Sequence, residues 1–163
     1  MKKVKKFRTV FAALLVSVFM LSCGNDDDIC TSGEATPRMK IKFKTAATGK
    51  LRTLDTLHVA VDYGDGPVAV LANNFNTDSA MIPLRVDEHP YTDIFVKTTS
   101  QGNASQVRIH YTTKNQYVSP ACGVKRLYET LDATVQVPNP VVSTEKNQNE
   151  ILDENKTHLF LLF

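Results

Sequence analysis

The sequence predicts an all-β domain, an antiparallel sandwich of two sheets in an immunoglobulin-like arrangement. Short segments in which apolar and polar residues alternate recur from residue 37 onward, as in half-buried strands. Clusters rich in Gly, Pro and Asn separate these segments and predict turns. No segment after residue 23 has the periodicity of an amphipathic helix. Eight to ten short strands over about 125 residues are typical of one sandwich domain.

The first strands have the clearest patterns. Residues 38–44 alternate strictly, and residues 57–63 repeat the alternation. The glycines and proline of 64–67 predict a turn, because glycine accepts positive φ and proline fixes its own φ. We expect the return strand over residues 68–72.

The middle of the domain continues the pattern. Residues 81–86 predict an edge or bulged strand, because Pro83 has no N–H to donate to a ladder. Residues 92–98 and 106–112 predict two further strands, and the polar cluster 100–105 predicts the turn between them.

The last third is less regular. Residues 114–116 predict a turn into a strand over 117–122, which continues over 124–130 past a bulge at Gly123. A short strand over 133–137 precedes a long polar surface loop over 138–155. The apolar segment 158–163 predicts a final, central strand. Besides aliphatic residues, we expect these aromatic residues in the core: Phe43, Tyr63, Phe95, Tyr111 and Phe160.

The first 23 residues have the organisation of an export signal. Five basic residues precede the uncharged run 9–21, which is too short for a transmembrane helix of about 20 residues. The run ends at Leu21-Ser22-Cys23, which resembles the lipobox of bacterial lipoproteins, although Met20 stands where a lipobox prefers leucine. We therefore expect cleavage of residues 1–22 and lipidation of Cys23. The alternative is ordinary cleavage that leaves Cys23 as a thiol or a disulfide partner.

Lipidation predicts the location of the protein. Bacterial lipoproteins carry two or three acyl chains, which hold a protein firmly on a membrane. We therefore expect an outer-membrane protein with an acidic tether over residues 23–36 and the β-domain over 37–163. The run Asp26-Asp27-Asp28 resembles the acidic export signal of Bacteroidetes surface lipoproteins and favours the cell surface. A solvated tether on the periplasmic side is the alternative.

Charge and cysteine content limit the possible partners. Of the 19 basic residues, five lie in the cleaved segment, which leaves 14 basic against 17 acidic residues and disfavours nucleic acid as a partner. The remaining cysteines, Cys30 and Cys122, form an even pair in an exported protein, which favours a disulfide. Two cysteines without a Cys-x-x-Cys neighbour do not make a zinc site.

Several short motifs together resemble an uncharacterised family of small Bacteroidetes lipoproteins with a domain of unknown function. The matching segments are Asp27-Asp28-Ile29-Cys30, Thr36-Pro37-Arg38 with Ile41 and Phe43, Ile82-Pro83-Leu84, Val118-Ser119-Pro120-Ala121-Cys122-Gly123 and the closing His158 strand. The resemblance spans most of the mature chain. It implies an exported, β-rich lipoprotein with a Cys30–Cys122 pair, and it implies no activity.

Candidate chemical groups are scattered. His58 and His110 could face outward from neighbouring strands as a two-histidine metal site, but exposed strand histidines are more often solvated. Residues 62–66 superficially resemble a calcium loop, yet they lack the EF-hand continuation and predict a turn. We therefore expect neither a metal site nor another cofactor. Thr56 and Ser79 lie in tripeptides that resemble O-glycosylation acceptors.

No pattern in the chain predicts catalysis. Ser119 lacks a nucleophile elbow, and no acidic residues are paired as acid and base. We expect a non-enzymatic binding or structural module of the cell envelope, with a protein or glycan partner at segments 72–78 and 138–155. The alternatives are an envelope hydrolase whose site is assembled from loops and an outer-membrane assembly accessory.

Overall fold

Nine β-strands and no helix make up residues 35–163, the part of the chain that the computed structural model describes. The strands are β1 (Met39–Lys44), β2 (Leu54–Asp62), β3 (Pro67–Thr77), β4 (Ser79–Ile82), β5 (Tyr91–Lys97), β6 (Ser105–Ser119), β7 (Gly123–Val137), β8 (Ser143–Lys146) and β9 (Leu159–Leu162). Within this range, no helix is long and apolar enough to cross a membrane.

The strands form two packed sheets, which confirms the predicted sandwich. One sheet has four strands in the order β4-β1-β9-β8, and the other has five in the order β3-β2-β5-β6-β7. Every named pair is antiparallel except β1 with β9, which is parallel. These orders differ from the ABED and CFG sheets of an immunoglobulin domain. In sequence order, β5, β6 and β7 form a meander within the larger sheet.

The core lies between the sheets and follows from the alternation of each strand. Phe43 and Tyr111 are buried, as predicted. Phe95 and Phe160 are not part of the buried core, because alternation places the residues on either side of each of them inward. Tyr63 follows the end of β2 and is 37% exposed. Tyr128 is instead the largest fully buried side chain.

The β6–β7 hairpin is longer than the sequence predicted, and the predicted turn over 114–116 is wrong. Strand β6 continues through that segment to Ser119, and the chain reverses over 120–122. Gly123 begins β7 opposite Ser119, where a register shift between Tyr117 and Ser119 marks the predicted irregularity, and its φ of 68° suits glycine. The ladder is also irregular between Thr112 and His110, opposite Thr130, whose φ is 54°. The hairpin ladder therefore extends well past the buried end of the sheet.

The predicted surface loop over 138–155 contributes to the fold instead. It contains β8 and the fully buried side chains of Val141 and Ile151. The backbone of Ile151 exchanges hydrogen bonds of 2.8 and 3.4 Å with Tyr128 on the outer edge of β7. The segment 72–78, predicted as part of the binding surface, belongs mostly to β3, an edge strand of the larger sheet. The strand predicted over 81–86 lies instead over Ser79–Ile82 as β4, which is an edge strand as predicted, and Pro83 directly follows it.

Candidate functional site on the five-stranded sheet

The outward face of the five-stranded sheet carries side chains in three cross-strand rows. Successive outward positions of β2 and β5 are directly paired, so each row crosses at least two strands. The first row is polar, the second contains small and aromatic residues, and the third contains cationic or titratable residues. The rows are Asp62, Asp93 and Arg108; Ala69, Ala60, Phe95 and Gln106; and His58 and Lys97.

A partly buried ion pair fixes the polar row. Arg108 donates to both carboxylate oxygens of Asp93 at 2.8 and 2.7 Å, and Gln106 adds a bond of 3.1 Å. These donors hold the pKa of Asp93 below its ordinary value, with the Arg108 hydrogen bonds as the largest cause. The Arg108 guanidinium lies 3.9 Å from the centre of the Tyr91 ring. Asp93 is therefore an anion with its oxygens already occupied.

A polar cavity of about 320 Å³ opens beside this pair. It is lined by Asp62, Gly64, Arg85, His89, Tyr91 and Asp93. One Asp62 oxygen accepts the N–H groups of Gly64 and Gly66 at 2.7 and 3.2 Å, so the segment 62–66 forms the predicted turn. A general acid needs a raised pKa, whereas the pKa of Asp93 is lowered. Asp93 thus stays ionised and anchors Arg108, while Asp62 anchors the turn that follows β2.

A second, more apolar cavity of about 380 Å³ lies at the other end of the face. The directly paired Ala60 and Ala69 leave a depression because their side chains are small, and Leu71 and Phe95 also line it. His58, Asn73, Lys97 and Ser100 supply its polar lining. Two cavities of opposite character thus share one sheet face.

Two of the polar groups in this second cavity lack partners within the described chain. Among residues 35–163, Lys97 makes no ion pair. His58 Nδ1 accepts the Asn73 N–H at 3.4 Å, so the proton is assigned to Nε2. The Nε2 atom is buried and makes no hydrogen bond. An unpaired buried donor carries a desolvation penalty, which a shift of the His58 ring toward an acceptor in the cavity would relieve.

The other histidines do not assemble a site. Strand β5 separates His58 from His110, which lies opposite Tyr91 on β5 and Asp132 on β7. His158 is buried, its Nδ1 accepts the Lys40 N–H at 2.9 Å, and burial lowers its pKa. In the described part of the chain, no three His, Cys, Asp or Glu side chains are placed to hold a metal ion.

Some of the predicted export and modification residues lie outside the described range. Cys23, Cys30, Asp26, Asp27 and Asp28 all precede residue 35.

The remaining modification candidates are placed by the structure. Cys122 lies at the reversal between β6 and β7, where its N–H donates to Ser119 Oγ at 3.1 Å. Thr56 is half-buried on β2, and Ser79, also half-buried, donates to Asp78 at 2.9 Å. Glycosylation of either residue stays a prediction.

The chain approaches the domain along β7. Thr36 Oγ1 accepts the N–H of Arg126 at 2.9 Å, so a residue expected in the tether already contacts the edge strand. Two residues later, Arg38 binds Glu154 through its side chain and its backbone at 2.8–3.0 Å. These contacts fix the end of the tether at the β7 edge of the five-stranded sheet.

Sequence reasoning missed the Asp93–Arg108 pair and the apolar cavity. Both residues of the pair occupy polar positions in strands that were correctly predicted. These polar positions were the signal that could have identified them. Their pairing depends on β5 lying beside β6 in a fixed register, which an alternating pattern does not specify.

A comparison with protein-family models matches residues 56–163, well over half of the chain. The matched range includes β3 to β9, most of β2 and both cavities. No curated protein and no solved structure matches the chain. The family of unknown function that the sequence motifs predicted is confirmed: the chain belongs to the family of unknown function DUF6452.

Proposed function

We propose that this protein is a lipid-anchored, non-enzymatic module of the outer membrane that binds a partner through the outward face of its five-stranded sheet. The signal-like segment 1–22 and the cysteine that follows it support the anchor. The two cavities on one sheet face support binding. Cell-surface exposure is the orientation that the acidic run Asp26-Asp27-Asp28 favours.

The position at which the tether meets the domain is the observation that carries this proposal. Thr36 contacts β7, and β3 forms the opposite edge of the same sheet. Four strand spacings of about 4.8 Å place these edges roughly 19 Å apart. An anchor on the β7 side would leave the surface over β3, β2 and β5 accessible to a partner. The apolar cavity lies on that surface.

The spacing of the cysteines is compatible with a disulfide that would hold the tether at the hairpin. Cys30 precedes Thr36 by six residues, which span at most about 20 Å when extended. Cys122 precedes Arg126 by four residues, or about 13 Å along a strand. A Cys30–Cys122 bridge therefore lies within reach of the chain.

Cell fractionation tests the anchor. We expect the wild type in the outer-membrane fraction and the full-length Cys23→Ser variant outside that fraction. Protease treatment of intact cells then distinguishes the surface from the periplasmic side. Outer-membrane recovery of Cys23→Ser equal to that of the wild type would contradict lipid anchoring.

Capture of envelope partners tests the binding face. Ala60→Glu would place a charge in the apolar cavity, while Lys146→Glu on β8 changes an exposed residue of the other sheet. We expect native envelope extracts to lose a specific partner with Ala60→Glu and to retain it with Lys146→Glu. Equal recovery of every partner by both variants would count against this face. Co-purification with an assembly complex would instead favour the accessory function.

A further inference from the structure

We propose that the apolar cavity on the outward face of the five-stranded sheet binds a small hydrophobic monocarboxylate, with its carboxylate at Lys97 and its apolar body over Ala60 and Phe95. This inference rests on the proposed binding function of the sheet face and names the class of ligand. The occupant is a free small molecule with an aromatic or branched aliphatic body.

The shape of the cavity determines the apolar part of the ligand. Its volume of about 380 Å³ lies at the lower end of the range for small-molecule sites. Ala60 and Ala69 form a shallow floor, and the half-buried Phe95 and Leu71 lie beside it. Phe95 offers an aromatic surface for offset or edge contact with a ring. A compact apolar group fits the floor of this cavity better than a polar group, because alanine, leucine and phenylalanine side chains form it.

The charges around the cavity determine the polar part. Lys97 contributes the only formal charge among the described lining residues, and none of them is a carboxylate. Asp62 and Asp93 lie in the polar row, which the Ala60–Phe95 row separates from the His58–Lys97 row. Arg108 already neutralises Asp93. The electrostatic match is therefore to an anion at the Lys97 end and to an uncharged group at the Ala60 end.

His58 gives a second reason to expect a hydrogen-bond acceptor at the Lys97 end of the cavity. His58 and Lys97 are directly paired across β2 and β5, so a carboxylate bound by Lys97 would lie near the imidazole. The assigned N–H at His58 Nε2 is buried without an acceptor. A shift of the His58 ring toward the cavity would let a carboxylate oxygen accept from this donor and also contact the Lys97 ammonium. Ser100 adds a hydroxyl to the same lining.

Calorimetric titration with 3-phenylpropionate tests the proposal on the purified full-length protein in detergent. We expect saturable binding by the wild type and binding weakened by about tenfold or more in Lys97→Gln. The neutral 3-phenylpropionamide should bind as weakly to the wild type as the carboxylate binds to Lys97→Gln. Lys146→Gln, on the other sheet, should bind like the wild type. Partitioning of the ligand into detergent is the same for the wild type and its variants. A difference in measured affinity between them therefore reports binding at the cavity.

Two further variants test the apolar floor. Ala60→Leu and Ala69→Leu fill the depression from different strands, and circular dichroism establishes that each is folded. We expect each folded variant to lose binding. Equal affinity for the carboxylate and the amide, unchanged affinity in Lys97→Gln, or no saturable binding at about 10 mM would overturn the proposal.

The outcomes also separate this inference from the proposed function. If phenylpropionate does not bind but capture of an envelope partner still depends on Ala60, the ligand class is wrong and the binding face stands. If neither phenylpropionate binding nor partner capture depends on Ala60, both proposals fail. Neither result bears on the anchor at Cys23.

Discussion

The Asp93–Arg108 pair shows how neighbouring donors can hold a charged side chain within a sheet. Asp93 is only 8% exposed, and three hydrogen bonds from Arg108 and Gln106 hold its carboxylate. Burying a carboxylate without such donors would be strongly unfavourable. The donors therefore keep Asp93 charged and in place beside the polar cavity.

Replacing Asp93 with asparagine should destabilise the domain. We expect Asp93→Asn to lower the free energy of unfolding by about 1–3 kcal/mol, because it removes charge-assisted hydrogen bonds and leaves Arg108 unpaired. Urea denaturation measures the change. Asp132→Asn, at an exposed position on neighbouring β7, is the matched control and should change stability by less than about 0.5 kcal/mol. A loss in Asp93→Asn no larger than in Asp132→Asn would contradict this account.

The Arg38–Glu154 pair predicts a pH dependence. Hydrogen bonds from Arg38 lower the pKa of Glu154 from 4.5 to about 2. Because the folded-state pKa is the lower one, the pair stabilises the folded state above pH 4.5 and loses this effect as the pH falls toward 2. We expect Glu154→Gln to lower the thermal midpoint at pH 7, with a gap from the wild type that narrows on acidification. A gap that stays constant down to the lowest pH at which both proteins fold would contradict the assignment.

At the scale of elements, the segment between β7 and β9 closes the edge of the larger sheet. The ladder of β7 has β6 on one side, and residues 149–151 bond to Tyr128 and Leu131 on the other. Covering a strand edge removes unpaired backbone groups that would otherwise invite association with another chain. The fully buried side chain of Ile151 anchors this segment to the core.

Neighbouring substitutions test this role of the segment. Ile151→Ala should reduce the free energy of unfolding by about 2–4 kcal/mol, because it leaves a cavity in the core. Leu152→Ala, at a side chain that is 48% exposed, should change it by less than about 0.5 kcal/mol. Chemical denaturation of both variants gives the comparison. Similar losses in the two variants would mean that the segment does not anchor the edge.

How well each strand could be predicted from the sequence depends on how its side chains are buried. Strands β1, β2 and β5 were predicted because one face of each is buried, which imposes a period of two. Strand β6 has no buried side chain from Thr112 to Ser119 to impose that period, so its polar residues there resembled a turn. In the segment 138–155, Val141 and Ile151 are isolated buried residues without a period. Their role depends on tertiary packing alone.

The candidate site was less predictable than the strands that carry it. Alternation predicted the outward position of Ala60, whereas Phe95, which was expected in the core, also lies outward. Their grouping into cavities requires the spatial order β3-β2-β5-β6, which differs from the sequence order. The polarity of a strand face can thus be inferred from sequence, but the residues that share a cavity cannot.

For the whole molecule, the proposed disulfide would link the tether to the tip of the β6–β7 hairpin. It would close a loop of about 90 residues and would stabilise the domain by up to about 4 kcal/mol in the chain-entropy model. We expect Cys30→Ser and Cys122→Ser to lower the urea midpoint equally, with no further loss in the double variant. Cys23→Ser should leave the midpoint unchanged. Additive losses, or alkylation of both thiols in the unreduced protein, would contradict the bridge.

Mass spectrometry of the N-terminal peptide of the mature protein, purified from bacterial membranes, tests the proposed anchor most directly. The account predicts a peptide that begins at Cys23 and carries a mass increment for a diacylglyceryl group, with or without a third acyl chain. An unmodified peptide that begins at any other residue, or an unmodified Cys23 in the membrane-bound protein, would contradict lipid anchoring of this β-sandwich.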